Sequence, residues 1–281
     1  MLKSHNGTFA FVLILILFSG CARMKVLDST KIVSPISVDG NTNDWPTERI
    51  QLNTQGEYDL YVSNDDEFLY VFIGLKNNQL YQNIQRYGLS LFFDSDKDLR
   101  RSFGIVYPTG ILNVLSDIPG ARKEYLENPG WSNMPENKRL IESIEESMDE
   151  RVMIIQRVNK RDPILPVPIS TEALKAQSVE LSMDRTASVM YIEMKIPLKS
   201  TRTRQFAIDA APSNDIYFGF EVIPPSLEEI MGDDYRAEDI TQNARDPYGN
   251  RLQNNQQFNP AMYSQLRGEF SRWNRIRLEK P

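Results

Sequence analysis

The sequence predicts an all-β protein: an antiparallel β-sandwich, jelly-roll-like, with a partly helical insertion around residues 117–150. Three observations point there. Apolar and polar residues alternate at period two in several separate runs, the pattern of half-buried strands. Those runs are divided by turn-forming pairs such as Asp39-Gly40, Asn64-Asp65 and Asp184-Arg185. Across 281 residues, 41% are hydrophobic and 25% charged, a globular composition with material for one large β core.

The first twenty residues have the form of a secretion signal. Lys3 supplies positive charge, and Phe9 to Phe18 is continuously apolar. That run is well short of the ~20 residues needed to cross a bilayer as a helix. Phe18-Ser19-Gly20-Cys21 follows and resembles the bacterial lipobox, with Phe18 standing where Leu is commonest. On this reading Cys21 is the acylated N-terminus after cleavage. Several chains on one Cys anchor firmly where a single chain would be reversible. The alternatives are an ordinary cleaved signal or a short anchor helix. With no Asp next to Cys21, the sorting rule implies a bacterial envelope location at the outer membrane.

Residues 21–31 read as a polar tether, and 32–281 as the sandwich. Tyr58, Leu60 and Val62 alternate with polar or amphipathic partners, Asn64-Asp65-Asp66 breaks the run, and Phe68 to Ile73 is apolar throughout. This predicts a hairpin whose second strand is buried on both faces. Leu80, Tyr81 and Ile84 predict a turn or two of helix. Leu89, Leu91 and Phe93 predict a strand ending in Asp94-Ser95-Asp96-Lys97-Asp98. Phe103 to Tyr107 and Ile111 to Leu115 flank Pro108-Thr109-Gly110 and predict a second hairpin.

Residues 117–150 are broken by Pro119-Gly120, Pro129-Gly130 and Pro135, after which Leu140, Ile144 and Met148 fall on one helical face. Val152 to Val158 returns to strand composition, and the prolines at 163, 166 and 168 predict an extended connection. Strands are predicted at 178–183, 189–196 and 216–222. Residues 227–260 read as an irregular excursion, and Arg272 to Glu279 as a closing strand.

Several pieces resemble the family 9 carbohydrate-binding modules and their DOMON-like relatives. They are Val38-Asp39-Gly40 with Asp44-Trp45, Leu60 to Asp65, Leu69-Tyr70-Val71, Leu91 to Asp96, and Tyr191-Ile192-Glu193-Met194-Lys195-Ile196-Pro197-Leu198. The likeness spans about residues 33 to 225, interrupted by the insertion. It implies a β-sandwich with a possible sugar or metal site, and carbohydrate as the leading ligand class.

Candidate ligand-binding residues are Trp131, Trp45 and Tyr107. Aromatic rings stack on the apolar faces of sugars, and Trp131 sits on a Pro/Gly loop, where binding residues concentrate. Trp45 reads equally as a structural plug. Asp94, Asp96 and Asp98 alternate like ligands of a hard cation, so calcium is the one metal considered. No cofactor is otherwise expected: the only His is His5 and the only Cys is Cys21, which leaves no Cys/His zinc set in the mature chain. Haem would have to rely on Met.

No nucleophile elbow, P-loop or dinucleotide fingerprint occurs, so the expectation is a non-catalytic protein. A hydrolase acting through two carboxylates is the enzyme alternative. The net charge of -6 argues against nucleic acid as a partner. Expected partners are therefore the membrane, through the lipid, and a carbohydrate. The alternative is a structural or assembly role among envelope proteins, with no sugar.

Overall fold

The computed structural model describes residues 24–32, 34, 36–41, 43–45, 58–157, 159, 161, 164–185, 189–210, 215–226 and 268–279. The predicted leader, Cys21 and the excursion at 227–260 lie outside these residues. Among the described residues, twelve strands form two sheets. One has five strands in the order β2(Thr30–Lys31), β3(Tyr58–Asn64), β4(Phe68–Leu75), β10(Met190–Pro197), β9(Glu180–Arg185). The other has seven: β1(Lys25–Asp28), β12(Phe270–Arg277), β11(Ile216–Val222), β5(Ser90–Asp94), β6(Phe103–Val106), β7(Arg151–Gln156), β8(Val167–Ser170). Pairing is antiparallel except where β1 joins β12 and β2 joins β3, both parallel.

Alternation explains the layers. Leu69, Val71, Ile73 and Leu75 of β4 and Met190, Ile192, Met194 and Ile196 of β10 face Leu91 and Phe93 of β5 and Phe218 and Phe220 of β11 in the main core. Their opposite neighbours point outward, yet both outer faces are partly roofed. Ile36 and Trp45 cover Tyr70 and Phe72 on the five-stranded sheet. Phe92, Val106 and Ile155 form a smaller cluster on the seven-stranded sheet, with Ile164 and Trp273 packed against it. Hence β4 and β5 are buried on both faces, as an unbroken apolar run requires.

The predicted turn or two of helix is α1(Asn78–Tyr87), whose N-cap Asn77 accepts from the Leu80 N–H. Two short expectations need correction. Ile111–Leu115 is a helix, α2, not the second arm of a hairpin. Gly110 starts it at φ +82°, and Asn113 donates to the carbonyl of Thr109 four residues back and to that of Tyr87, the second a contact that only the fold supplies. Residues 25–31 are not a free tether, because they form β1 and β2. The extended connection ends in an edge strand, β8, where Pro168 is tolerated.

The insertion contains α3(Ala121–Glu127), a 3-10 turn at Trp131–Asn133 and α4(Pro135–Glu146). A further helix, α5(Thr171–Ala176), follows β8. All the chain reversals that carry α1, α2 and the insertion fall at one end of the sandwich, where β4 and β6 end and β5 and β7 begin. Among the described residues no helix is long and apolar enough to cross a membrane.

Candidate functional site: an indole and guanidinium lip on the seven-stranded sheet

Two buried glutamates, one on each outer face, each accept a hydrogen bond from an indole. On the five-stranded sheet, Glu193 is fully buried. Its Oε1 accepts from Trp45 Nε1 at 2.7 Å, and its Oε2 from the backbone N–H of Gly40 at 2.9 Å and Asp39 at 3.0 Å. Gly40 has φ +85°, and a Cβ there would meet the Asp184 backbone N at 3.1 Å, so a side chain would be strained. Burial pushes the Glu193 carboxyl above its usual range, against the pull of the three N–H donors. Trp45 packs on Phe72 with ring centroids 5.7 Å apart. The motif pieces around residues 39–45 and 191–197 thus converge on one carboxylate that plugs the sheet.

On the seven-stranded sheet the arrangement is more open. Glu221 Oε1 accepts from Trp273 Nε1 at 2.8 Å and from Ser271 Oγ at 2.8 Å. Arg101 closes a two-pronged pair on the same carboxylate, with Nε and Nη2 each at 3.0 Å. Strand register explains why the rings lie flat. Trp273, Gly219, Phe92 and Gly104 are direct partners across four strands. A Cβ on Gly219 would meet Trp273 ring atoms at 2.4 to 2.6 Å, and one on Gly104 would meet Phe92 at 2.7 Å. Each ring therefore occupies the space above a glycine. The two rings lie 11° from coplanar, with centroids 6.2 Å apart.

Phe92 is sealed, with the Arg101 guanidinium above it at 5.7 Å. Trp273 is only half-buried, and Ser271 and Arg272 beside it are exposed. The result is an indole held by its own N–H, edged by hydroxyl, guanidinium and carboxylate. Such a lip can offer a flat apolar contact with donors and acceptors at its margin.

The three aromatic residues expected to bind ligand are placed otherwise. Trp131, Trp45 and Tyr107 are 8%, 3% and 1% exposed. None presents a ring face to solvent, which corrects that expectation. Trp131 is sealed because the insertion folds back on it: Tyr125 meets it edge-on at 6.0 Å, and Asn137 ties down its carbonyl. Tyr107 follows β6 into the core, where burial raises its hydroxyl pKa.

The three aspartates do not gather either. Asp94 is buried and accepts from the Arg101 N–H, the Ser102 N–H and Ser102 Oγ at 2.8 to 2.9 Å. Asp96 and Asp98 are turned to Arg100, at 3.3 and 3.6 Å. Asp94 instead holds the loop that presents Arg101, whose φ of +55° is unusual for a residue with a side chain. Among the described residues, no three His, Cys, Asp or Glu side chains form a metal-holding group.

A half-open depression of about 330 Å³ lies beside β9 and α5, floored by Val38, Leu174, Val179 and Leu181. Its lining includes no aromatic ring.

No family profile matches the chain, and no curated protein matches it. Among solved structures, it is similar to a family 9 carbohydrate-binding module from Caldicellulosiruptor kristjanssonii in complex with glucose. Identity is 14%, over 92% of this chain and 97% of that one, with a TM-score of 0.34. The same module in complex with cellotriose gives 14% identity, 92% and 95% coverage, and a TM-score of 0.33.

Proposed function

We propose that the chain is a lipid-anchored, extracytoplasmic, non-catalytic binding module of the bacterial envelope, at the outer membrane, whose ligand is a carbohydrate. The observation that carries the sugar reading is the partly exposed Trp273, flat on Gly219 and bordered by Ser271, Arg101 and Glu221. An indole face suits the C–H side of a pyranose, and the polar margin suits its hydroxyls. The lipobox-like Phe18-Ser19-Gly20-Cys21 supports the anchor.

Glycan-array binding by the wild type and by Trp273→Ala and Trp273→Phe tests the ligand. Retention by the wild type, lost in the alanine variant and kept in part by phenylalanine, is expected. No retention on any glycan would remove the sugar. Cys21→Ser and globomycin test the anchor, since unchanged processing and membrane retention would remove it.

A second reading, an assembly role among envelope proteins, is favoured by one observation. Leu165 and Val167, at and before the edge strand β8, are 66% and 62% exposed. Apolar residues left so open beside a sheet edge suit a protein partner.

A further inference from the structure

We propose that the free edge of β9 takes an extended peptide strand from a partner protein, with basic side chains on its outer side and apolar ones on its inner side. This goes beyond the sugar reading and lies on the other sheet.

The first argument is which edges are open. Of the four edge strands, β2 spans two residues, β1 and β8 four each, and β9 six. Short strands and prolines blunt an edge. β8 carries Pro168, and Pro166 stands just before it, so that edge lacks amide donors. β9 has no proline. Glu180–Arg185 pairs with β10, and among the described residues no other hydrogen bond reaches the backbone of these residues. An antiparallel edge of that length turns the N–H and C=O of about three residues outward, enough for one more ladder.

The second argument is room. The depression of about 330 Å³ is lined by Val179, Glu180 and Leu181, with Val38 and α5 around them. Successive residues of a strand point to opposite faces, so a hollow that Glu180 and Leu181 both line lies at the edge of β9.

The third argument is the side chains that a new strand would meet. Glu180, Ser182 and Asp184 sit opposite Lys195, Glu193 and Tyr191 on the outer face. Leu181 and Met183 face the core but are only partly buried. Lys195 answers Glu180 at 2.8 Å, whereas Asp184 is exposed, as are Glu172 and Lys175 on α5. A second copy fits poorly. Antiparallel self-pairing centred on Ser182 sets Glu180 against Asp184, like charges directly opposite. A foreign strand reading basic, apolar, polar, apolar, basic answers every position from Glu180 to Asp184. The match ends there, because the Arg185 guanidinium donates to the Glu145 carbonyl at 3.2 Å.

The test titrates the full chain into a fluorescein-labelled Gly-Lys-Val-Thr-Val-Lys-Gly amide and reads anisotropy. One control peptide has Glu at both Lys positions. The other is N-methylated at Thr and both Val, so that neither of its edges can form a ladder. The Lys peptide should bind saturably, about ten-fold or more tighter than either control. Asp184→Lys should cut the preference for Lys over Glu several-fold and leave far-ultraviolet circular dichroism and glycan retention as in the wild type. Equal binding of the N-methylated peptide would overturn the strand pairing, and an unchanged preference in Asp184→Lys would overturn the charge match. Absence of saturable binding would overturn both. A wild-type dimer in sedimentation velocity that the Lys peptide dissociates would overturn the occupant and give the edge to a second copy.

Discussion

Replacing Glu193 with alanine probes the plug that roofs the five-stranded sheet. The carboxylate is fully buried and holds three donors at 2.7, 2.9 and 3.0 Å. Leaving a buried donor unmatched costs about 1–3 kcal/mol, so three would sum to about 3–9 kcal/mol if the segment stayed in place. It has another option, which is to peel away and hydrate its donors. That exposes the Trp45 side chain, about 150–250 Å² of surface, or about 4–6 kcal/mol at 25 cal/mol per Å². The cheaper route sets the loss, and some of it returns because a desolvated carboxylate is removed. We therefore expect Glu193→Ala to lower unfolding free energy by about 3–5 kcal/mol, a large part of a typical total. Urea denaturation followed by far-ultraviolet circular dichroism measures it. Trp45 emission should also shift to the red before the global transition. A loss below about 1 kcal/mol would refute the reasoning, since it would mean water or other groups satisfy the three donors.

Other outcomes follow from the same geometry. Gly219→Ala places a Cβ 2.4 Å from the Trp273 ring, so the indole must lift. Urea denaturation should show a loss of about 1–3 kcal/mol, and glycan retention should fall with it. Asp94→Ala removes the acceptor for two backbone N–H groups and the Ser102 hydroxyl. The Arg101 loop should become accessible to trypsin, whereas chelators should leave the wild-type melting temperature unchanged.

On pH, the Glu193 carboxyl is raised by burial, so the folded state holds its proton longer than the unfolded one. Its contribution is greatest below the unfolded value of about 4.3 and falls as pH rises through the folded value. Glu193→Gln should flatten that part of a stability profile. Tyr61 is pushed up to about 12 by burial, with the Asp59 charge adding to it. The folded state again holds the extra proton, so stability should drop between about pH 10 and 12. Tyr61→Phe should lessen that slope in alkaline melts, leaving the share of Tyr70, Tyr87 and Tyr107, whose hydroxyls burial also raises.

How much of this was legible in the chain depends on the range of the interactions. The hairpin of β3 and β4 could be read from alternation and an Asp/Asn break, because both are local. Glu193 lies within the Tyr191–Leu198 piece that carries the family resemblance, and Trp45 reads from sequence as a plug or a sugar contact, but nothing local pairs the two. The pair between Arg101 and Glu221 spans 120 residues and has no local pattern. The glycines beneath Trp273 and Phe92 matter only once the strands are in register. Trp131 looked exposed because Pro and Gly surround it, but Tyr125 and the rest of the insertion cover it. The acidic alternation at 94–98 looked like a cation loop because sequence does not show where Arg100, Arg101 and Ser102 return. Ile111–Leu115 is apolar at nearly every position, which fits a buried strand and a buried helix equally.

On the proposed function Trp273, rather than Trp45 or Trp131, would meet the ligand. Indole N–H resonances of the three tryptophans, assigned by single Trp→Phe variants, report it directly. On titration with a soluble oligosaccharide retained on the array, only the Trp273 resonance should move, and it should saturate. Movement at Trp45 or Trp131 with Trp273 unchanged, or no movement at any of the three, would contradict the account.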